Sequence, residues 1–467
     1  MSREDTPLLR NDYDSIYDVF TTRQKRALVT IVSWAGLVAY FSAGTFLPSI
    51  PQIAKDLNSN GEVISAVVSV SMLASSIGGL IGSTYSKFYG RRPSYLWFLP
   101  IMIIGSLGVA RSQNVPALIF WRVIQGLGSS PGLSVGAGVI GDIYKIEERG
   151  VALGTYFGTC LLGWAIAPTI GGAIAHYWSW RGIHYLLAIF AFGSLFCVLS
   201  FFPETSHPGT RGIDKYKKNG KSLPKWRPVV LNPFSQLLLL RSPVMLSMTL
   251  IGFLALMTDF TLMLPLPYTI GKKYGITNEA ILGACVIPLG LGNMIGSPLS
   301  GWLSDRTVIR YKQKRGYWYP EDRLRACFFS WFLPLTVLAP GLIITFVSNR
   351  TVGLALCLVC FFINGIGCDM VLAPSGAYIV DVLQTNSAEA TAVINAVRGL
   401  LQSVGTALIL PSINRFGLVF TNSLVAFLSV VGMGLTALTI YYGESLRGWV
   451  DIGYSTKVNK DHPDSDV

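Results

Sequence analysis

The chain is 467 residues long, 51% hydrophobic and 13% charged, with a mean hydropathy of +0.49 and a formal net charge of +12. Soluble proteins carry about 25% charged residues, so this composition excludes a water-soluble globular protein and places most of the chain against lipid. The positive charge calls for no nucleic acid, because flanking basic residues that hold membrane spans in place account for it.

Residues 1–25 are polar and charged and read as a cytoplasmic arm, with no cleavable signal peptide before the first span. Within them Glu4-Asp-Thr-Pro-Leu-Leu9 has the form of an acidic dileucine sorting signal, which keeps a vacuolar or endosomal membrane open beside the plasma membrane. Apolar runs able to cross about 30 Å of hydrocarbon follow at roughly 26–48, 62–85, 94–112, 115–140, 150–174 and 183–202, an N-terminal bundle over 26–202. Residues 203–242 open on Pro203-Glu-Thr-Ser-His-Pro-Gly209, carry a Lys-rich run from Lys215 to Arg227 and read as a cytoplasmic connector. Apolar runs resume at roughly 243–268, 279–303, 326–348, 351–376, 388–411 and 417–442, a C-terminal bundle over 243–442, and a cytoplasmic tail closes the chain over 443–467. The expected fold is all-α, twelve transmembrane helices in two pseudo-symmetric six-helix bundles.

Two features support the duplication. The charged turn after the second span, Ser83-Thr-Tyr-Ser-Lys-Phe-Tyr-Gly-Arg-Arg-Pro93, has a counterpart after the eighth, Gly301-Trp-Leu-Ser-Asp-Arg306. Lys87 then matches Asp305 and Asp142 matches Asp381, with the longer 8–9 loop accounting for the difference in offset. With both termini cytoplasmic, Lys and Arg favour that side by about four to one, which sets the orientation. Matching basic hairpins in two six-span halves mark a secondary transporter.

These motifs, with Phe120-Trp-Arg-Val-Ile-Gln-Gly126, Gly163-Trp-Ala-Ile-Ala-Pro-Thr-Ile-Gly-Gly172, Trp180-Arg181 and Pro203-Glu-Thr205, resemble the major facilitator superfamily and, within it, the fungal twelve-span drug:proton antiporters, over nearly all of residues 26–442. The resemblance implies alternating access, a gate at Gly90, Arg91, Arg92, Gly301, Asp305 and Arg306, proton coupling through Arg122 and a fifth-span antiporter motif around Pro168. Four positions depart from the pattern. Ser83 and Ala167 stand where the family has Gly, Tyr85 where it has Leu, and Lys87 where it has an Asp that bonds to a helix N-terminus across the gate. A lysine meets the wrong sign of helix dipole there, so the N-half latch is expected to work differently.

Ionisable residues inside spans are the sharpest signal, since each costs at least about 2.5–3.5 kcal/mol at the bilayer centre. Four stand out: Arg122, Asp259, Asp369 and Arg398. The three in the C-half can pair with one another or handle protons and substrate, and both readings stand. Arg122 has no carboxylate in the N-half membrane core, so its partner is Gln125, a backbone carbonyl, water, or an acid from the other half or the substrate. Trp34, Tyr40, Gln125, Trp164, Asn293, Asn364, Asn395 and Gln402 are candidates for lining a substrate cavity, with core packing the alternative for each aromatic. Cytoplasmic Asp142, Glu147, Glu148, Arg149, Asp381 and Glu389 are expected to form a gate network beside Lys87. Small residues on the fifth span, Gly154 and Gly158, then Gly163, Ala167, Gly171 and Ala175, four apart within each run, allow close helix approach.

Neither enzyme nor pump chemistry is legible. The four histidines, His176, His184, His207 and His462, are scattered, no Gly-x-x-x-x-Gly-Lys-Ser/Thr phosphate loop exists, and no metal or cofactor is expected. Cys357-Leu-Val-Cys360 has redox spacing but lies in an apolar run and reads as packing; the sequon at Asn349 sits in too short a loop to expect modification. The expected function is export of a drug or secondary metabolite in exchange for protons, by a monomer in the lipid bilayer. Two alternatives remain: an organic-acid exporter with Arg122 and Arg398 as anion clamps, and a non-transporting receptor on the same fold.

Overall fold

The computed structural model describes residues 17, 19–207, 209, 211–218, 229, 231–383 and 387–449. The dileucine segment, most of the Lys-rich run, the side chains of Glu147 and Glu389, and the tail beyond Trp449 lie outside the described residues. Among the described residues eleven helices are long and apolar enough to cross a membrane. The remaining span, the fourth, is built of three pieces, Val115–Ser129, Pro131–Ser134 and Gly136–Ile143. Pro131 lacks the N–H that would continue the ladder, and Gly128 and Gly132 bring the broken stretch against backbone of the third and first spans: a Cβ at either would fall 2.2 Å from the Met102 nitrogen or 2.4 Å from the Ala35 oxygen.

Helix starts are written locally. Thr21 and Gln24 form a reciprocal capping box at the first span (Thr22–Gly44), and Asn60, Asn114, Ser179 and Asn278 each accept from backbone N–H groups one turn or less ahead. Asn349 caps the tenth span (Arg350–Val382) in the same way, so its side chain is part of a helix end. The eighth span (Ile287–Arg315) runs well past the apolar stretch, which turns much of the expected 8–9 loop into helix.

Packing repeats with the two-fold pattern. In the N-half the first span lies on the fifth (Ile146–Tyr177), the second (Gly61–Tyr89) on the fourth, and the third (Arg91–Ala110) on the fourth and the sixth (Trp180–Phe201). The C-half shows the matching pairs: seventh (Pro243–Met263) on eleventh (Ser387–Phe416), eighth on tenth, and ninth (Leu333–Phe346) on tenth and twelfth (Leu418–Trp449). The halves meet where the second span packs on the eleventh and the fifth on the eighth, and the pseudo-two-fold exchanges these two contacts.

The 5–8 seam is closed at its outer end only. A Cβ on Gly172 would sit 2.1 Å from the Glu279 oxygen, on Gly283 2.1 Å from the Pro168 oxygen, and on Gly290 2.3 Å from the Ala165 side chain. Gly154 and Gly158 share a helix face with Ala165, and Gly301 shares one with Gly290, to within about 20°. Yet a Cβ on any of these three would meet nothing within 4 Å. The seam therefore packs at its outer half and gapes toward the cytoplasm, whereas Gly163 and Gly171 of the expected small-residue stripe pack on the first span, against Leu37 and Thr45. His176 to Glu279 (2.9 Å), Gln52 to the Ala175 carbonyl (3.0 Å) and Asn414 to Glu62 (2.6 Å) reinforce the outer closure, the first and third across the halves.

Candidate functional site

Beneath the closed seam lies a buried carboxylate held by amides. Gly292 and Gly365 let the eighth and tenth spans approach until a Cβ on Gly365 would meet the Leu289 oxygen at 2.2 Å, which places Asn293 and Asn364 side by side. Asn364 Nδ2 donates to Asp259 Oδ1 at 2.7 Å and Asn293 Nδ2 to Asp259 Oδ2 at 3.3 Å. Thr336 on the ninth span lies 2.8 Å from both Asn364 Oδ1 and the Leu333 carbonyl, with one proton between them, and the carboxylate, which only accepts, draws the amide nitrogen to itself. Asp259 is thus satisfied without a cation: four spans of one half converge on it, and Arg398 is not its partner.

Asp369 differs. It is 8% exposed, makes no hydrogen bond or ion pair with any described residue, and its Oδ2 is shielded from solvent without a partner. Arg398 lies within electrostatic reach of Asp369, Cys368 and Tyr40, but no ion pair forms, and its hydrogen bond goes from Nη2 to Asn395 Oδ1 (2.9 Å). Tyr40 belongs to the first span, so this group straddles the halves. Trp164 closes it from the fifth span, edge-on to Tyr40 at 6.2 Å and against Phe260 of the seventh span at 5.7 Å. Gln402 is buried one turn beyond Arg398 and donates to the Met257 sulfur at 3.3 Å.

Arg122 forms a separate centre in the N-half. It is 1% exposed, its Nη1 donates to Gln125 Oε1 at 2.8 Å, and its guanidinium lies 4.5 Å from the centroid of Phe46. Arginine offers only donors, so the Gln125 oxygen must face it and the amide nitrogen turns to Ser106 Oγ (2.9 Å) and His184 Nδ1 (3.3 Å). His184 is therefore an acceptor at Nδ1 and carries its proton on Nε2, which has no partner. No hydrogen bond or ion pair joins Arg122 to Arg398 among the described residues.

The cytoplasmic charges form matched clusters. Arg91 grips Asp142 with two nitrogens (2.8 and 3.3 Å) and reaches Ser86, while Glu204 accepts from the backbone N–H groups of Arg91 and Arg92 at the start of the third span. Gly90, at φ +113°, leaves room for that carboxylate; a Cβ would fall 2.3 Å from it. In the C-half Arg323 bridges Asp381 and Asp305. Lys87 occupies the place of Asp305, so Arg91 binds one carboxylate where Arg323 binds two. Arg149 donates to the Gly141 carbonyl at the end of the fourth span. Nearby, burial and the Glu444 carboxylate push the Tyr319 phenol up to about 12.

The family departures on the second span hold the connector. Tyr85 donates to the Val229 carbonyl (3.1 Å), the Val229 N–H donates to Tyr89 (2.7 Å), Ser83 donates to Gln236 (3.4 Å), and Gln236 donates to Thr84 (3.2 Å).

Several expected residues sit elsewhere. Trp34 is turned about 120° from Tyr40 around its helix and packs on Phe190 of the sixth span. Arg306 lies exposed over Trp302 and leaves the gate to Arg323. Gly301 touches nothing, and Pro168 belongs to the outer seal. Asn395 is exposed. His184, Arg323 and Glu204 had been missed. His184 is four residues after Trp180 on a buried helix face, a spacing that offers a signal only once Arg122 is known to lie opposite.

A model of the Major Facilitator Superfamily matches residues 32–406. Citrate exporter 1 of Aspergillus niger is 27% identical over 92% of this chain and 87% of its own, and efflux pump radE of Floropilus chiversii is 27% identical over 90% and 80%. MFS antiporter QDR3 of Candida albicans is 36% identical over 42% of this chain and 28% of its own. The xylose transporter XylE from E. coli, in a partially occluded inward-open conformation, superposes with a TM-score of 0.64 at 15% identity, over 90% of this chain and 98% of that one.

Proposed function

The chain belongs to the Major Facilitator Superfamily and is an integral membrane transporter of a small organic compound, and on that premise we propose that it exports its substrate in exchange for protons. The observation that carries this reading is Asp369, a buried carboxylate left without a partner where the two halves meet. A proton and the positive end of a substrate compete for one carboxylate, so each displaces the other. That competition is antiport when the site faces the two sides in turn. Asp259, tied by two amides, serves as the second candidate for the titrating group, and the Arg122 centre as the rigid counterpart in the N-half. The gate residues Lys87, Arg91, Asp142, Asp305, Arg323 and Asp381 latch the cytoplasmic side in the alternate state. The plasma membrane is the proposed location and a monomer the working unit.

A second reading draws on the citrate exporter relative. Arg398 makes its hydrogen bond to Asn395 and Arg122 its own to Gln125, with Arg122 Nε buried without a partner, so both guanidinium groups keep donors for a carboxylate. Flux into proteoliposomes with an imposed pH gradient separates the two. Gradient-driven movement of organic cations, abolished in Asp369→Asn, supports the first reading. Movement of small carboxylic acids alone, abolished in Arg398→Gln and kept in Asp369→Asn, establishes the second.

A further inference from the structure

We propose that the site takes a zwitterion: a small compound with one ammonium and one carboxylate group on an aromatic or apolar body. This rests on the reading of the Asp369 region as the substrate site and adds the class of compound. A buried acid within electrostatic reach of a half-buried arginine normally pairs with it, because leaving a carboxylate unpaired in a low-dielectric interior is costly. Here they stay apart. Asp369 keeps Oδ2 without a partner, and Arg398 hydrogen-bonds only to Asn395. Glycines make room beside both: a Cβ on Gly296 would lie 3.2 Å from Asp369 Cβ, and one on Gly252 3.1 Å from Arg398 Cδ and Nη1.

With Asp369 ionised, the site therefore offers an acceptor and a donor edge within electrostatic reach of each other and a net charge of zero. A purely cationic ligand satisfies Asp369 and leaves Arg398 facing a new positive charge; a purely anionic ligand does the reverse. A zwitterion satisfies both and adds no net charge to the interior. Tyr40, Trp164 and Phe260, in edge and tilted contact with one another, supply an aromatic wall for its body.

The test is counterflow in proteoliposomes at equal pH on both sides, with three matched probes: phenylalanine, its methyl ester (cation only) and its N-acetyl derivative (anion only). Counterflow needs no proton gradient, so a failure of proton coupling leaves this result untouched. Phenylalanine should exchange at least about tenfold faster than either derivative at equal low concentration, the loss expected when one charged hydrogen bond goes unmade. Asp369→Asn should shift the preference to the N-acetyl compound and Arg398→Gln to the methyl ester, both variants keeping the thermal transition of the parent protein. Equal exchange of all three compounds, or none with any of them in folded protein, overturns the proposal. So does an equal loss of all three in both variants.

Discussion

The Asp259 carboxylate and the Thr258 hydroxyl accept from the Asn364 amide nitrogen, which leaves Oδ1 facing Thr336. Replacing Asn364 by Leu removes one of the two amide donors of Asp259 and leaves Asn293 alone, so unfolding in detergent should become easier by about 1–3 kcal/mol. Thr336→Val should cost less, about 1 kcal/mol, yet shift the pH profile of transport, since Asn364 Oδ1 then loses a donor and the amide is held less firmly. An unchanged profile would mean that amide orientation has no bearing on Asp259. Gln125 plays the same part in the N-half, where it supplies the oxygen for Arg122 and the N–H for His184. Gln125→Leu should lower stability by about 1–2 kcal/mol, and Gln125→Glu, which still offers Arg122 an oxygen, should lose less. Equal losses in thermal melts would show that Arg122 does not depend on that oxygen. Of these residues Arg122, Gln125, Asp259, Asn293 and Asn364 were legible from charge and polarity inside apolar runs. His184 and Thr336 were not, because a lone histidine or threonine in a span looks the same whether or not a partner lies across from it.

At the scale of helices the 5–8 seam explains what the glycines do. Gly283→Val and Gly290→Val put side-chain atoms where backbone and Ala165 now sit, so the outer seam should fail to close. Thiol labelling of a cysteine placed at Thr169 should then rise several-fold from the outside. Gly154→Val fills open space in this state and should leave that labelling unchanged while slowing turnover, which requires the inner half of the seam to close. Small residues along the fifth span were readable in the sequence; that Gly163 and Gly171 face the first span while Ala165, Pro168 and Gly172 face the eighth was not, because spacing does not say which neighbour a helix face meets. The connector teaches the same lesson. Tyr85 stands where the family pattern has Leu, and with Tyr89 it ties down Val229. Tyr89→Phe removes the acceptor of the Val229 N–H, so hydrogen exchange at that amide should accelerate at least tenfold. Exchange at the parent rate would mean the clasp is not populated.

Over the whole molecule, the spans and the duplication followed from hydropathy and charge placement because lipid imposes length and internal hydrogen bonding on every span. The fourth span, broken at Pro131, and the eighth, prolonged to Arg315, escaped that pattern for local reasons: a missing N–H in one, and continued helix with charged residues beyond the membrane in the other. The cytoplasmic ion pairs were half legible: the repeat singled out Asp142, Asp305 and Asp381, but Arg323 lies in what reads as loop, while Arg306 of the motif stacks on Trp302. Substrate and proton are proposed to move in opposite directions through one carboxylate-bearing site. The decisive experiment loads proteoliposomes with organic cations, zwitterions or carboxylates in turn, imposes an outward substrate gradient and records lumen pH. Acidification of the lumen as substrate leaves, lost in Asp369→Asn, is the result expected here. Alkalinisation as substrate leaves, or efflux with no change in lumen pH, would contradict it.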